Sequence, residues 1–242
     1  MGRYVAQRAA ETLARAIDAR GRARLIVATG ASQFEVLEHL VGKDLDWNRV
    51  DGFHLDEYIG IGADHPASFC GYLKQRFVDR VPLGSFAYLP GDEDPRSVIA
   101  RVGESLTAAP IDLALVGIGE NGHLAFNDPP ADFETESPYL IVDLDEACRR
   151  QQVGEGWFAT MDDVPRQAIS MSIRQILKTG TIFCSVPDSQ KATAVRRTLK
   201  EPIDPSIPAS ILRDHDDTTL VIDQASAAEL SAETLESTER LS

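Results

Sequence analysis

The chain has no apolar run approaching the ~20 residues that a membrane-spanning helix needs, and Met1-Gly2-Arg3-Tyr4 opens no secretory apolar segment. The Ser or Thr that would complete a myristoylation signal after Gly2 is also missing. Cysteine is scarce: Cys70, Cys148 and Cys184 are odd in number and widely spaced, which excludes a disulfide framework and any zinc-binding spacing and points to reduced thiols in a cytoplasmic protein. Basic residues are outnumbered, 24 Lys and Arg against 38 Asp and Glu, for a net charge of −14. That balance argues against a nucleic-acid partner, which needs a basic surface, and is read as a solubility feature. It leaves room for an anionic ligand, because backbone N–H groups, a helix N-terminus and one or two cations can hold a phosphate locally. No linker, repeat or low-complexity block interrupts the sequence.

With 242 residues, 43% hydrophobic and 26% charged, the chain is expected to form one globular domain over 1–242, ending in a polar, acidic stretch, 224–242, that forms a weak helix or frays. Val5, Ala9, Leu13 and Ile17 recur at helical spacing, so 4–19 reads as a helix. Strands are expected at 24–29, 50–55, 85–89, 111–116, 139–144, 167–171, 181–186 and 218–222. Helices are expected at 34–40, 66–78, 95–106, 146–152 and 189–199. Strands alternating with helices give an α/β fold of the Rossmann-like kind, a mostly parallel sheet covered by helices on both faces.

Two segments carry chemistry. The run Gly117-Ile118-Gly119-Glu120-Asn121-Gly122-His123-Leu124-Ala125-Phe126-Asn127-Asp128-Pro129-Pro130 follows an apolar strand. Its glycines permit a tight turn that holds an imidazole, carboxylates and carboxamides at the end of a strand, where open α/β sheets bind ligands. The second, Phe53-His54-Leu55-Asp56-Glu57-Tyr58-Ile59-Gly60, sets Asp56 and Glu57 at the end of another strand. A lone loop histidine is more often structural than catalytic, and an Asp after a strand often caps a helix. Two strands both ending in acid-base residues fit those plainer readings less well.

Together these segments resemble the glucosamine-6-phosphate deaminase/isomerase family, related to the 6-phosphogluconolactonases. Ala28-Thr29-Gly30-Ala31-Ser32 is similar to its phosphate loop, and Ser189-Gln190-Lys191-Ala192 to its lysine-bearing segment. Pro208-Ala209-Ser210-Ile211-Leu212 is similar to its closing loop. The resemblance implies a hexosamine 6-phosphate as the small-molecule partner and no metal or redox cofactor. It implies that Asp56 moves the proton between C2 and C1, that His123 opens the ring, and that Asp128 and Asn121 support His123. Thr29, Gly30, Ala31, Ser32 and Lys191 would hold the phosphate. A homo-oligomer is compatible with the sequence. The family usually begins with a strand, whereas here a helix begins almost at Met1, so a sheet edge is expected to stay unpaired.

The chain departs from the family pattern at Asn121, where deaminases carry Asp, and at Asp128, where they carry Glu. Asn-Gly-His is closer to galactosamine-6-phosphate isomerases, which keeps that epimer open beside glucosamine. If the chain is a deaminase with a weakened relay, Asn121→Asp is expected to strengthen the support of His123 and raise turnover on glucosamine 6-phosphate; if Asn121 suits another epimer, the change is expected to lower activity on that sugar without rescuing glucosamine 6-phosphate. The family's phosphate-binding arginine before an aromatic pair is also missing, since Gly156 precedes Trp157-Phe158; Arg149 or Arg150 is expected to replace it. A lactonase would show Asp-Gly-His-Thr-Ala-Ser and Asp-Glu-Arg at the two motifs, and this chain shows neither. A sugar-phosphate sensor with a weakened site is the remaining alternative.

Overall fold

The computed structural model describes residues 1–241. Its elements run α1 (Gly2–Arg20), β1 (Ala23–Val27), α2 (Phe34–Leu40), β2 (Val50–His54), β3 (Asp56–Tyr58), α3 (Phe69–Arg76), β4 (Ser85–Ala87), α4 (Pro95–Thr107), β5 (Leu113–Val116), β6 (Tyr139–Asp143), α5 (Glu146–Gly154), β7 (Gln167–Met171), α6 (Ile173–Leu177), β8 (Thr181–Val186), α7 (Ala192–Lys200), β9 (Thr218–Ile222) and α8 (Ala232–Glu236).

The main sheet has six strands in the order β4-β2-β1-β5-β8-β9, and every pair is parallel. Alternate residues of its central strands feed separate cores, as the period-2 pleat requires. Leu25, Val27, Leu113 and Leu115 pack with α1, α2 and α3. Ile26, Ala114, Val116 and Ile182 pack on the other face with α4, α6 and α7. The α1 stripe Val5, Ala9, Leu13 and Ile17 is buried throughout. Among the described residues, no helix is long and apolar enough to cross a membrane.

The sequence-based expectation of one sheet needs a correction at its middle. Segments 139–143 and 167–171 are strands, but they join β3 in a second, antiparallel sheet of order β3-β7-β6. Leu55 is the crossing point: its N–H donates to the Val27 carbonyl of the main sheet, and its own carbonyl accepts from Met171 of the small one. The next helix therefore starts later than expected, at Phe69, where the Ser68 hydroxyl accepts the Gly71 N–H and caps it. Helix α6, absent from the expected pattern, is five residues capped by Ser172. The acidic tail contributes Ala227 and Leu230 to the core ahead of α8.

Candidate active site

Strand order reverses between β1 and β5, with β2 and β4 on one side and β8 and β9 on the other. In an open α/β sheet the crevice beyond the carboxyl ends of the strands at such a switch point is where ligands bind. A cavity of about 240 Å³ opens there. Its wall includes Thr29, Gly30, Ala31 and Ser32 after β1, Asp56 after β2, His123 after β5 and Lys191 after β8. The end of α5 roofs it with Gln151, Gln152, Glu155 and Trp157.

Asp56 is 7% exposed and begins β3, opposite Ser170 of β7. Burial, and secondarily the neighbouring Glu57 carboxylate, push its carboxyl up to about 8. Glu57 turns the other way and is fully buried. It accepts from the Ser68 hydroxyl at 2.9 Å and from the N–H groups of Tyr58, Phe69 and Cys70 at 2.9, 3.2 and 2.7 Å. Burial nevertheless raises Glu57 above the usual carboxylate range against those four donors. The pair thus divides its work: Glu57 pins the start of α3, and Asp56 faces the cavity.

His123 lies flat against the backbone of Gly119. A Cβ built at 119 would stand 2.2 Å from His123 Cε1, so only glycine fits there. His123 Nδ1 is 3.2 Å from Asp128 Oδ1, off the line of a well-aligned hydrogen bond. Burial pushes the Asp128 carboxyl up, but the close contact with His123, the Asp145 N–H and the Asn121 amide outweigh it, and Asp128 sits below the usual range. The Asn121 carboxamide accepts the His123 N–H at 3.0 Å and donates to Asp128 Oδ1 at 3.0 Å and to Asp145 Oδ2 at 3.3 Å. It therefore separates two carboxylates. Replacing it by Asp would set a third carboxylate against both, which reverses the expectation that Asn121→Asp strengthens the site.

The loop is tied to the small sheet through one hydroxyl. Ser170 Oγ accepts the Phe126 N–H at 3.1 Å and the Asn127 amide at 3.2 Å. Asn127 also donates to the carbonyls of Leu124 and Met171, both at 2.8 Å. Ser170, facing Asp56 across the ladder, registers both halves of the site. At the opposite wall, Gln33 is fully buried and donates to the Val116 carbonyl at 3.0 Å, fixing the turn at 29–33 against β5.

The two expected arginines are not at the cavity. Arg149 turns to the carbonyls of Met161 and Val164, and Arg150 pairs with Glu146 on the exposed side of α5. The helix phase decides this: Cys148 and Gln152, one turn apart, are its buried positions, so Glu155 follows on the inner face and the arginines fall outside it. Gln152 accepts from the Tyr58 hydroxyl at 2.5 Å, and Gln151 accepts from the Glu120 N–H at 2.9 Å. Sequence reading missed these residues because α5 is nearly all polar and shows no apolar stripe from which to take its phase.

Two mixed clusters could in principle hold a metal ion, His54-Glu57-Cys70 and His123-Asp128-Cys148. Their carboxylates are largely engaged, while His54 Nε2 and His123 Nδ1 have no hydrogen-bond partner. Glu57 has its four donors, His54 Nδ1 faces the Leu89 N–H at 3.3 Å, and Asp128 is engaged by Asn121, His123 and Asp145.

Residues 1–221 match the family described as glucosamine-6-phosphate isomerases/6-phosphogluconolactonase. A glucosamine-6-phosphate deaminase of Streptococcus agalactiae is 35% identical over 212 residues, covering 87% of this chain and 89% of that protein. Another from Oenococcus oeni is 33% identical over 85% of this chain and 86% of its own. The solved structure of a monomeric glucosamine-6-phosphate deaminase superposes with a TM-score of 0.83 at 29% identity, covering 94% of this chain and 96% of that one. A 6-phosphogluconolactonase of Shewanella baltica shares the fold, with a TM-score of 0.74 at 21% identity over 91% of both chains.

Proposed function

The chain belongs to the glucosamine-6-phosphate isomerase/6-phosphogluconolactonase family, and from that membership we propose that it converts a hexosamine 6-phosphate and water to a ketohexose 6-phosphate and ammonia, in the cytoplasm. The observation that carries the reading is the make-up of one cavity, which brings the Asp56 carboxyl and the His123 imidazole together with Lys191 and the 29–32 turn. Thr29 and Ser32 would offer hydroxyls, and the turn its N–H groups, to a phosphate; Lys191 adds a point charge.

His123 would move the proton between the ring oxygen and the C1 hydroxyl as the sugar opens. Asp56 would take the C2 proton from the open aldose, leaving an enolamine, and return it at C1. The C2 iminium then adds water and loses the amine as ammonium. Each positioned acid-base transfer is worth roughly 10²–10⁴-fold. A base raised to about 8 is well matched to a weakly acidic carbon acid near neutral pH.

The test is a panel of glucosamine, galactosamine and N-acetylglucosamine 6-phosphates with 6-phosphogluconolactone, following ammonia, ketose phosphate and acid. Ammonia and ketose phosphate formed in equal amounts from an amino-sugar phosphate are expected. Acid release from the lactone alone would replace this reading with hydrolysis. Binding without turnover of any member would leave a sensor.

A further inference from the structure

Lys191 already has a partner. Its Nζ lies 3.5 Å from Glu155 Oε1, and both side chains are largely withdrawn from solvent, at 14% and 20% exposure. Glu155 is held there: Gln151 donates to Oε1 at 2.7 Å and Trp157 Nε1 to Oε2 at 3.1 Å. Both charged groups line the cavity, and Lys191 is the one lysine or arginine among its described lining residues. The Glu155 backbone is held as well, its N–H donating to the Gln151 carbonyl at 2.8 Å, so displacement is a rotation of the side chain. Gly154 and Gly156 flank it, nothing lies within 4 Å of a Cβ at either, and Gly156 holds φ +80°, a left-handed conformation that favours glycine.

We infer that Glu155 is a specificity-determining residue, an internal carboxylate that occupies Lys191 and admits only a ligand anion able to displace it. The inference rests on the reading of Lys191 as the phosphate-binding cation. A ligand carboxylate offers Lys191 the same single charge that Glu155 supplies already, and must also give up its freedom on binding. A phosphate ester brings a charge of about −1.5 to −2 and three acceptor oxygens, which the 29–32 turn can share with Lys191. The phosphate therefore wins the exchange and the carboxylate loses it. Glu155 thereby separates sugar phosphates from sugar acids of the same length. Once displaced, the Glu155 side chain has to leave the site, because like charges at ~4 Å repel, and its place between the exposed Gly154 and Gly156 leaves open space to turn into.

The experiment is calorimetric titration of the full chain with inorganic phosphate and, separately, with a hexuronic acid. It compares wild type, Glu155→Gln, Glu155→Ala, Lys191→Ala and the Lys191→Ala/Glu155→Gln double variant, each checked for an unchanged melting transition. Glu155→Gln is expected to tighten phosphate about tenfold and to make the hexuronic acid bind. Glu155→Ala, which also drops the Gln151 and Trp157 contacts, is expected to tighten phosphate too. The gain should vanish in the Lys191→Ala background. Unchanged or weaker phosphate binding by both Glu155 variants, with Lys191→Ala still weakening it, would overturn the inference and leave the parent reading standing. Phosphate binding that ignores Lys191→Ala would overturn the phosphate-site reading itself, and the inference with it.

Discussion

At Asp56 the folded chain holds a proton up to about pH 8, whereas an unfolded Asp releases its proton near pH 4. Between those values the folded state binds the extra proton, so stability falls as pH rises. Asp56→Asn is therefore expected to raise the melting temperature by several degrees at pH 8–9 and hardly at all at pH 4, read by calorimetry at both. The same variant should lose nearly all turnover with little change in KM, as removal of a transition-state base requires; an equal thermal shift at both pH values would show that no buried charge is being relieved. In the wild type, kcat/KM should climb through about pH 8 as Asp56 loses its proton. Asn121→Asp should act oppositely on stability. It crowds Asp128 and Asp145 with a third carboxylate and removes their shared donor, for a cost of about 1–3 kcal/mol at pH 7, shrinking towards pH 4 as the introduced carboxyl takes up a proton. Denaturant titration at the two pH values checks it. Asp56, His123 and Lys191 could be read in the sequence because each stands in a motif with a distinctive spacing. Glu155 and Gln152 could not, because their roles come from the phase of a polar helix that only tertiary packing fixes.

Among the elements, the small sheet explains most of what local pattern conceals. β6 and β7 read as strands from composition, but their pairing spans a long connection through α5 that no local periodicity encodes. β3 has three residues, too few to show alternation, and its existence depends on Leu55 crossing between sheets. The consequence for the site runs through Ser170. Ser170→Ala strands the Phe126 N–H in the interior, while the Asn127 amide keeps its two carbonyl acceptors, and an unmet buried group costs about 1–3 kcal/mol. We expect destabilisation of that order, with kcat falling by about tenfold or more as the His123 loop loosens, while KM for the sugar phosphate moves less because the 29–32 turn does not hang on Ser170. Steady-state kinetics with a single amino-sugar phosphate decide it; a change in KM alone would uncouple Ser170 from the loop.

Across the whole molecule, alternating strands and helices made the parallel sheet and its two helical layers legible, and the acidic excess was read directly. The sheet order, with its reversal between β1 and β5, is set by which helix covers which face, and composition says nothing of that. The net charge of −14 opposes compaction through self-repulsion and is screened over about 10 Å at 0.1 M salt. Raising sodium chloride from about 0.01 to 0.15 M should therefore raise the melting temperature; a fall would show that attractive pairs dominate instead. Chloride is the anion to use, since phosphate would also act by binding.

Leu55 gives this architecture a mechanical property. Asp56, one residue beyond it, rides on the small sheet, while Thr29, two residues beyond its partner Val27, rides on the large one. The distance between Asp56 and Thr29 is thus set by how the two sheets pack, in a core that joins Tyr139, Ile169 and Met171 of the small sheet to Ile26, Ala114 and Val116 of the large one. A sugar phosphate touching both would be measured against that shared core, and a ligand one carbon shorter would leave a gap, because closely packed interiors resist tilting.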